Sequence, residues 1–310
     1  MSRIDPIVLE VRAAYETEVI SANKPPSSTH SGISTDVGSV PWLAERIYRE
    51  FHSGSDFRLE HPGKNDMYDP DFSRRIVAAT PAAEIWVPAQ VPPIPEADGY
   101  IVTFNGVRVR MHASLVRMSP SGTEPASLRL PRLRPHLSPG YLYYSRAPNR
   151  THQAEWRVYV SVSDLDSAVT QWAAVLEAAQ TLTEGQYHAK VASTAVLYPR
   201  RDAIVVYFDH ATEGQLQTFA DRVTAGTAAG TSRLARTLAP GVSCAHEPRA
   251  SKLQDAGASF GQHRSAVLAR LLVEGAGLDE FAFRDLADYR FREANIDPSA
   301  LHLNTVGEPR

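Results

Sequence analysis

The sequence predicts an α+β fold with a mainly antiparallel sheet flanked by helices. Three observations carry this: helical periodicity fills the N-terminal part, a run of strand-like segments follows, and helices then return at intervals between and after further strands. Over residues 4–20, Ile4, Val8, Val11, Tyr15 and Val19 recur at helical spacing. Residues 21–39, rich in Pro, Ser, Thr and Gly, read as a flexible loop. Trp42–Phe51 is a second amphipathic helix, with Leu43, Ile47 and Phe51 on one stripe. Residues 52–95 mix charges, prolines and short apolar stretches around one helix at about Asp71–Ala79. Tyr100–Met111 is a hairpin: Asn105-Gly106 supplies the two positive-φ positions of a type I′ turn, and alternation separates Val107, Val109 and Met111 from Arg108 and Arg110. Strands follow at Ser127–Leu133 and Tyr141–Ser145, separated by Ser138-Pro139-Gly140.

The second half opens with a strand at Trp156–Val162. Ser163 has N-cap character, Asp164 and Asp166 fall in the first turn, and Leu165, Val169, Trp172, Leu176 and Ala179 form the apolar stripe of a long helix. Strands at Tyr187–Ala192 and Ala203–Phe208 precede a helix from Thr212 to about Val223. A loop of small residues then leads to helices at about Gln262–Glu274 and Asp279–Ala294. No internal repeat is visible. The length suggests about two domains, a helical region at 1–95 and an α+β domain at 96–310.

The chain of 310 residues carries 32 basic and 35 acidic side chains, a net charge of −3 that excludes a generally polyanionic partner such as nucleic acid. The charge is unevenly placed. Residues 101–150 hold eight arginines against one acid, Glu124, a net of +7, whereas residues 1–100 sum to −6. Only four basic residues are lysines (Lys24, Lys64, Lys190 and Lys252), a skew that codon usage in a GC-rich genome explains. Cys244 is the single cysteine, so an internal disulfide is excluded. No apolar run reaches the length of a membrane span and the N-terminus lacks a signal pattern, so a cytoplasmic location is expected.

Phosphate-loop, dinucleotide-fingerprint, HExxH, CxxC and GxSxG motifs are absent. Cys244-Ala245-His246 alone does not make a metal site, and neither a metal nor a cofactor is expected. The unusual feature is a lysine within a strand. In YHAKVA, period two puts His188 and Lys190 on one face. One reading is a solvent-facing lysine on an edge strand. The other is a lysine in a cleft, where desolvation and nearby cations favour the neutral amine and let it act as a base. Arg157 and Tyr159 share a face of the preceding strand, and Arg200, Arg201 and Tyr207 follow. Arginine forks and tyrosine hydroxyls suit a phosphate. Gly261 before an amphipathic helix, with Arg264 in its first turn, reads equally as an anion site or as an ordinary capped helix with a surface arginine.

WRVYVSV (156–162), HAKVAS (188–193) and IVVYFD (204–209) together resemble the phosphothreonine lyase superfamily. SPGYLYY (138–144), CAHEP (244–248) and SFGQHR (259–264) look most like its HopA-type effector family, which includes the stand-alone lyase (LanY-type) of class V lanthipeptide and thioamitide pathways. The similarity spans about residues 95–275. It implies a lyase-like domain and β-elimination of phosphate from phosphoserine or phosphothreonine of a precursor peptide, giving dehydroalanine or dehydrobutyrine without a cofactor. By the same resemblance Lys190 is the base, Tyr207 and Arg157 contact phosphate, and Arg200 or Arg201 and Arg264 complete the anion site. The effector lyases have a histidine as general acid in the first strand, where this chain has Tyr159. Tyr159 or His188 then protonates the leaving group, the clamped phosphate leaves without an acid, or activity is lost. The expected partners are the phosphorylated peptide, a separate Ser/Thr kinase and further pathway enzymes. The alternative is a non-catalytic peptide- or protein-binding member of the effector family.

Overall fold

The computed structural model describes residues 4–22, 39–55, 68–89, 92–104, 106–119, 125–138, 140–147, 154–182, 187–224, 227–228, 230–249 and 257–305. Most of the predicted 21–39 loop, together with Asn105 and Pro139, lies outside them. Gly106 does hold the left-handed φ of +78° that its turn position needs.

The centre is a seven-stranded antiparallel sheet. In spatial order its strands are β12 (Arg236–Ala239), β13 (Val242–His246), β9 (Trp156–Val162), β11 (Arg200–Phe208), β10 (Tyr187–Ala192), β8 (Tyr141–Ser145) and β7 (Leu133–Ser138). An α+β fold is thus confirmed. Alternation divides the central strands between two layers. Val158, Val160, Ile204, Val206, Ala189 and Val191 pack against α3 (Pro70–Ala79), α4 (Leu165–Leu182) and α5 (Glu213–Val223). Tyr159, Val205, Tyr207 and Ala245 face a second layer of α1 (Pro6–Ala22), α2 (Val40–Ile47), α6 (Phe260–Glu274) and α7 (Glu280–Glu293). The N-terminal helices therefore share a core with the sheet and the C-terminal helices.

The chain between α3 and β7 builds two three-stranded sheets. One orders β1 (Glu84–Pro88), β6 (Ser127–Pro131) and β5 (Val116–Arg117); the other orders β2 (Ile94–Glu96), β3 (Gly99–Phe104) and β4 (Val107–His112). Val87, Val102, Met111, Val116 and Leu128 form their own small core. The region predicted to be helical to residue 95 thus ends in two strands, and Ser127–Leu133 divides between β6 and β7.

Other departures have local causes. The helix read over Trp42–Phe51 ends as α2 and continues as a π-helical turn at Tyr48–Ser53, closed by Gly54 at φ +71°. Ser167 N–H bonds to the Asp164 carboxylate (2.8 Å), so the start of α4 is capped by Asp164 rather than by Ser163. Strands β12 and β13 lie where the sequence predicts a loop, because four and five residues joined by Pro240-Gly241 carry too short a pattern. Helix α6 starts two residues early, capped reciprocally by Ser259 and Gln262. No helix of the described residues is long and apolar enough to cross a membrane.

Trp172 is fully buried between α4 and the sheet and donates its Nε1–H to Thr80 Oγ1 at 2.9 Å. Trp172→Ala is expected to lower unfolding free energy by about 3–5 kcal/mol in denaturant titrations.

Candidate active site

A cavity of about 410 Å³ lies between the second face of the sheet and the segments that cover it. Its floor is set by strand register. Lys190 of β10 pairs with Val205 of β11 and Tyr143 of β8, and Val205 pairs with Tyr159 of β9, so Lys190 and Tyr159 share one row. In the adjacent row His188 pairs with Tyr207 and Tyr207 with Arg157. Lys190, Tyr159, Arg157 and Tyr207 all line the cavity. Strand β10 lies between two neighbours, so Lys190 is not on an edge. Its Nζ sits 4.3 Å from the Tyr141 ring centroid and, among the described residues, makes no ion pair or hydrogen bond.

The other predicted residues divide. His188 does not line the cavity; its ring stacks on Tyr207 at 4.4 Å and 17°. Arg157 gives Nε and Nη2 to Glu247 and lies 5.0 Å over the Tyr207 ring, so half of its fork is already engaged. Arg200 is held behind the wall by Asp202, with Nε to Oδ1 at 2.6 Å and Nη2 to Oδ2 at 3.0 Å. Arg201 does not line the cavity and donates to Glu50 O, in the turn that follows α2, at 3.1 Å.

Arg264 corrects the reading of a phosphate or surface arginine. It is 1% exposed and donates to Leu301 O (2.7 Å), Leu303 O (3.1 Å) and Asn304 Oδ1 (3.0 Å), which pins the C-terminal segment instead of facing the cavity. Nor does Gly261 break the chain before the helix. It sits within the first turn of α6 because the His52 ring occupies the space of a Cβ, which would lie 2.2 Å from His52 Cδ2.

Among the lining residues that the sequence reading missed are Tyr48, His52, Tyr141 and Asp202. A lone acid in an apolar strand marks Asp202, and Tyr141 falls within SPGYLYY. Tyr48 and His52 carry no such signal, since only the π-helical turn brings them inward. Tyr48 donates its hydroxyl to Asp202 Oδ2 (3.1 Å) and accepts from Arg200 Nη2 (3.0 Å). Burial opposes charge on Asp202, but Arg200 and then His52 outweigh it and hold the carboxyl below its usual range. Burial also pushes the Tyr159 phenol well above its usual value, against the pull of Arg157. The Tyr159 hydroxyl is buried with no hydrogen-bond partner among the described residues. No group of three or more His, Cys, Asp or Glu side chains suited to a metal occurs among the described residues.

His52 is 2% exposed; its Nδ1 meets Ser232 Oγ at 2.7 Å and its Nε2 lies 3.7 Å from Asp202 Oδ2. Burial, opposed by Asp202 and reinforced by Arg200, Arg157 and Lys190, pushes the imidazole from its usual 6.5 down to about 4. Burial does the same to His302.

Two stability experiments follow from this geometry. Between pH 6.5 and 4 the folded chain binds fewer protons on His52 and His302 than the unfolded chain, so their contribution is complete above pH 6.5 and is lost as the pH falls toward 4. Denaturant unfolding at pH 7 and pH 4.5 should show that fall, made smaller in His52→Gln. Arg264→Ala should cost at least about 1–3 kcal/mol of stability, the penalty for one stranded buried acceptor, while leaving affinity for inorganic phosphate unchanged in a titration.

Comparison with solved structures finds the effector protein of Pseudomonas syringae pv. syringae strain 61, 10% identical, with 96% of this chain and 97% of that one covered at a TM-score of 0.52. The effector protein of Pseudomonas syringae pv. tomato strain DC3000 is 13% identical over 97% of this chain and 100% of that one, at a TM-score of 0.48. At such identity the likeness speaks to the fold alone. Comparison with curated proteins gives no match. Residues 132–303, more than half of the chain and the stretch that supplies Arg157, Tyr159, Lys190 and Tyr207, match the HopA1 effector protein family, and the chain belongs to that family.

Proposed function

We propose that the protein is a lyase that eliminates phosphate from phosphoserine or phosphothreonine of a precursor peptide, forming dehydroalanine or dehydrobutyrine during maturation of a lanthipeptide- or thioamitide-type product. One observation carries the reading. Lys190 Nζ enters a cavity walled by tyrosines and Arg157 and is the one cation lining it that has no ionic partner among the described residues. In the reaction the Lys190 amine removes the α-proton, the electron pair forms the Cα=Cβ bond, and the Cβ–O bond breaks toward phosphate. The Tyr159 and Tyr207 hydroxyls and the Arg157 N–H groups left over by Glu247 are the donors available to the phosphoryl oxygens. Tyr159, held protonated by burial, suits a hydrogen-bond donor better than an acid. His188, stacked outside the cavity, orients Tyr207.

The substrate would arrive from a separate kinase in the same cytoplasm, and the basic stretch at 101–150 would receive an acidic part of the peptide. A non-catalytic binding protein is the second reading, favoured by the internal pairing of Arg157 with Glu247 and Arg200 with Asp202.

Incubation with phosphothreonine and phosphoserine peptides, followed by mass, should show loss of one phosphoric acid per site. Lys190→Ala should reduce the rate at least about 10²-fold. Intact phosphopeptide, bound equally by wild type and Lys190→Ala, would instead establish the binding protein.

A further inference from the structure

The lyase reading leaves open what protonates the leaving phosphate. Of the two candidates from sequence, His188 lies outside the cavity, and burial raises the Tyr159 phenol well above its usual value, so that it holds its proton too tightly for an efficient acid. A third group, supplied by the N-terminal region beyond the matched family segment, reaches the cavity: His52. The π-helical turn at Tyr48–Ser53 aims it there, and the local rule that such turns mark functional positions fits its placement. The ring is fixed on three sides. Ser232 Oγ engages Nδ1, Gly261 leaves a flat recess against Cδ2, and the ring stands at 89° and 4.9 Å to that of Tyr159. Among the described residues Nε2 is then the edge of the imidazole without a hydrogen bond, 3.7 Å from Asp202 Oδ2 in the cavity wall.

Charge gives the ring a reason to be there. Of the charged groups lining the cavity, Arg157 is paired with Glu247 and Asp202 with Arg200, which leaves Lys190 as the unpaired cation among the described residues. A phosphomonoester brings a charge near −2 at neutral pH. If Lys190 is to accept the α-proton as an amine, the cavity needs a second source of positive charge. The groups facing His52 are Asp202 and Arg200 on β11, Arg157 and Tyr159 on β9, Lys190 on β10 and Tyr48 on its own turn; α6 presents Gly261 and the Phe260 ring, neither titratable. Three of those groups are cations that disfavour a proton on the ring, and an entering phosphate offsets them.

Resting on the lyase reading, we propose that His52 is the general acid of the elimination, taking up a proton when the phosphorylated side chain enters and delivering it from Nε2 to the departing phosphate oxygen. The balance closes. Lys190 gains the α-proton, the Cβ–O electron pair stays with phosphate, and that oxygen gains the His52 proton. Product is HPO₄²⁻ plus the dehydro residue, and one proton returns from Lys190 to solvent to reset the site.

Two measurements on the full chain test this separately from the lyase reading. The first is calorimetric titration with inorganic phosphate at pH 7 in two buffers of different protonation enthalpy. Wild type should take up about one proton more than His52→Gln. The second is the pH profile of kcat on a phosphothreonine peptide. Wild type should decline on the alkaline side as His52 loses its proton. His52→Gln should lose that limb and fall about 10²–10³-fold near neutrality, with the rising limb retained. Gly261→Ala, which keeps His52 but fills its recess, should reproduce both changes and serves as the second variant should His52→Gln not fold.

Elimination by wild type with the alkaline limb and proton uptake unchanged in folded His52→Gln or Gly261→Ala overturns the proposal and leaves the lyase standing. His52-dependent proton uptake without elimination by wild type overturns the lyase, and the acid with it. A uniform loss of rate at every pH, with uptake unchanged, assigns His52 a structural role and also overturns the proposal.

Discussion

The sheet is covered by helices on both faces, and that double burial constrains everything else in the molecule. On one face the solution is ordinary: Val158, Val160, Ile204 and Val206 meet Trp172, Phe219 and their neighbours. On the other face the same strands present Arg157, Tyr159, Lys190 and Tyr207, polar groups that water would otherwise satisfy. A buried ion must be paired and a buried polar atom bonded, or each must border a cavity. Arg157 takes Glu247, Arg200 takes Asp202 and Tyr48, and Arg264 takes the C-terminal carbonyls. Tyr159 and Lys190 are left with neither kind of bond among the described residues, and both line the cavity.

The second layer joins distant parts of the chain. Leu43, Ile47 and Phe51 from the N-terminal part pack with Phe260, Leu268 and Phe291 from the C-terminal part over Tyr159 and Val205. Tyr48 and His52 leave that apolar stripe because the turn after Ile47 is π-wound, which rotates them toward Asp202 while Phe51 stays in the core. The wall of the cavity is therefore built partly by residues outside the family segment at 132–303.

The charge arrangement accounts for the proton state of the site. Arg200 keeps Asp202 ionised against the cost of burial, and Asp202 in turn accepts from Tyr48. Burial and the surrounding cations keep His52 neutral near pH 7. The groups that disfavour charge on His52 are cations, whose effect an anion would offset. The same arrangement costs stability at acid pH, where buried imidazoles must charge on unfolding.

Much of the fold was legible because alternation and helical spacing are local. Trp156–Val162 and Tyr187–Ala192 have the bounds their pattern gave, and α4, α5 and α7 match their apolar stripes closely. The short strands β12 and β13 carried too few residues for a period, and the π-wound turn had no signature distinct from an α-helix. Period two also placed Lys190 with His188, and Arg157 with Tyr159, on shared faces, which is correct for any strand. Sequence alone does not set which strands become neighbours. Register between β9, β10 and β11 brought Lys190, Tyr159, Arg157 and Tyr207 around one cavity, while the packing of the C-terminal segment drew Arg264 away from it. Side-chain type and period thus fixed the chemistry each element carries, and only tertiary contacts, which pair each buried charge with a distant partner, decided which of those groups remain available in the cavity.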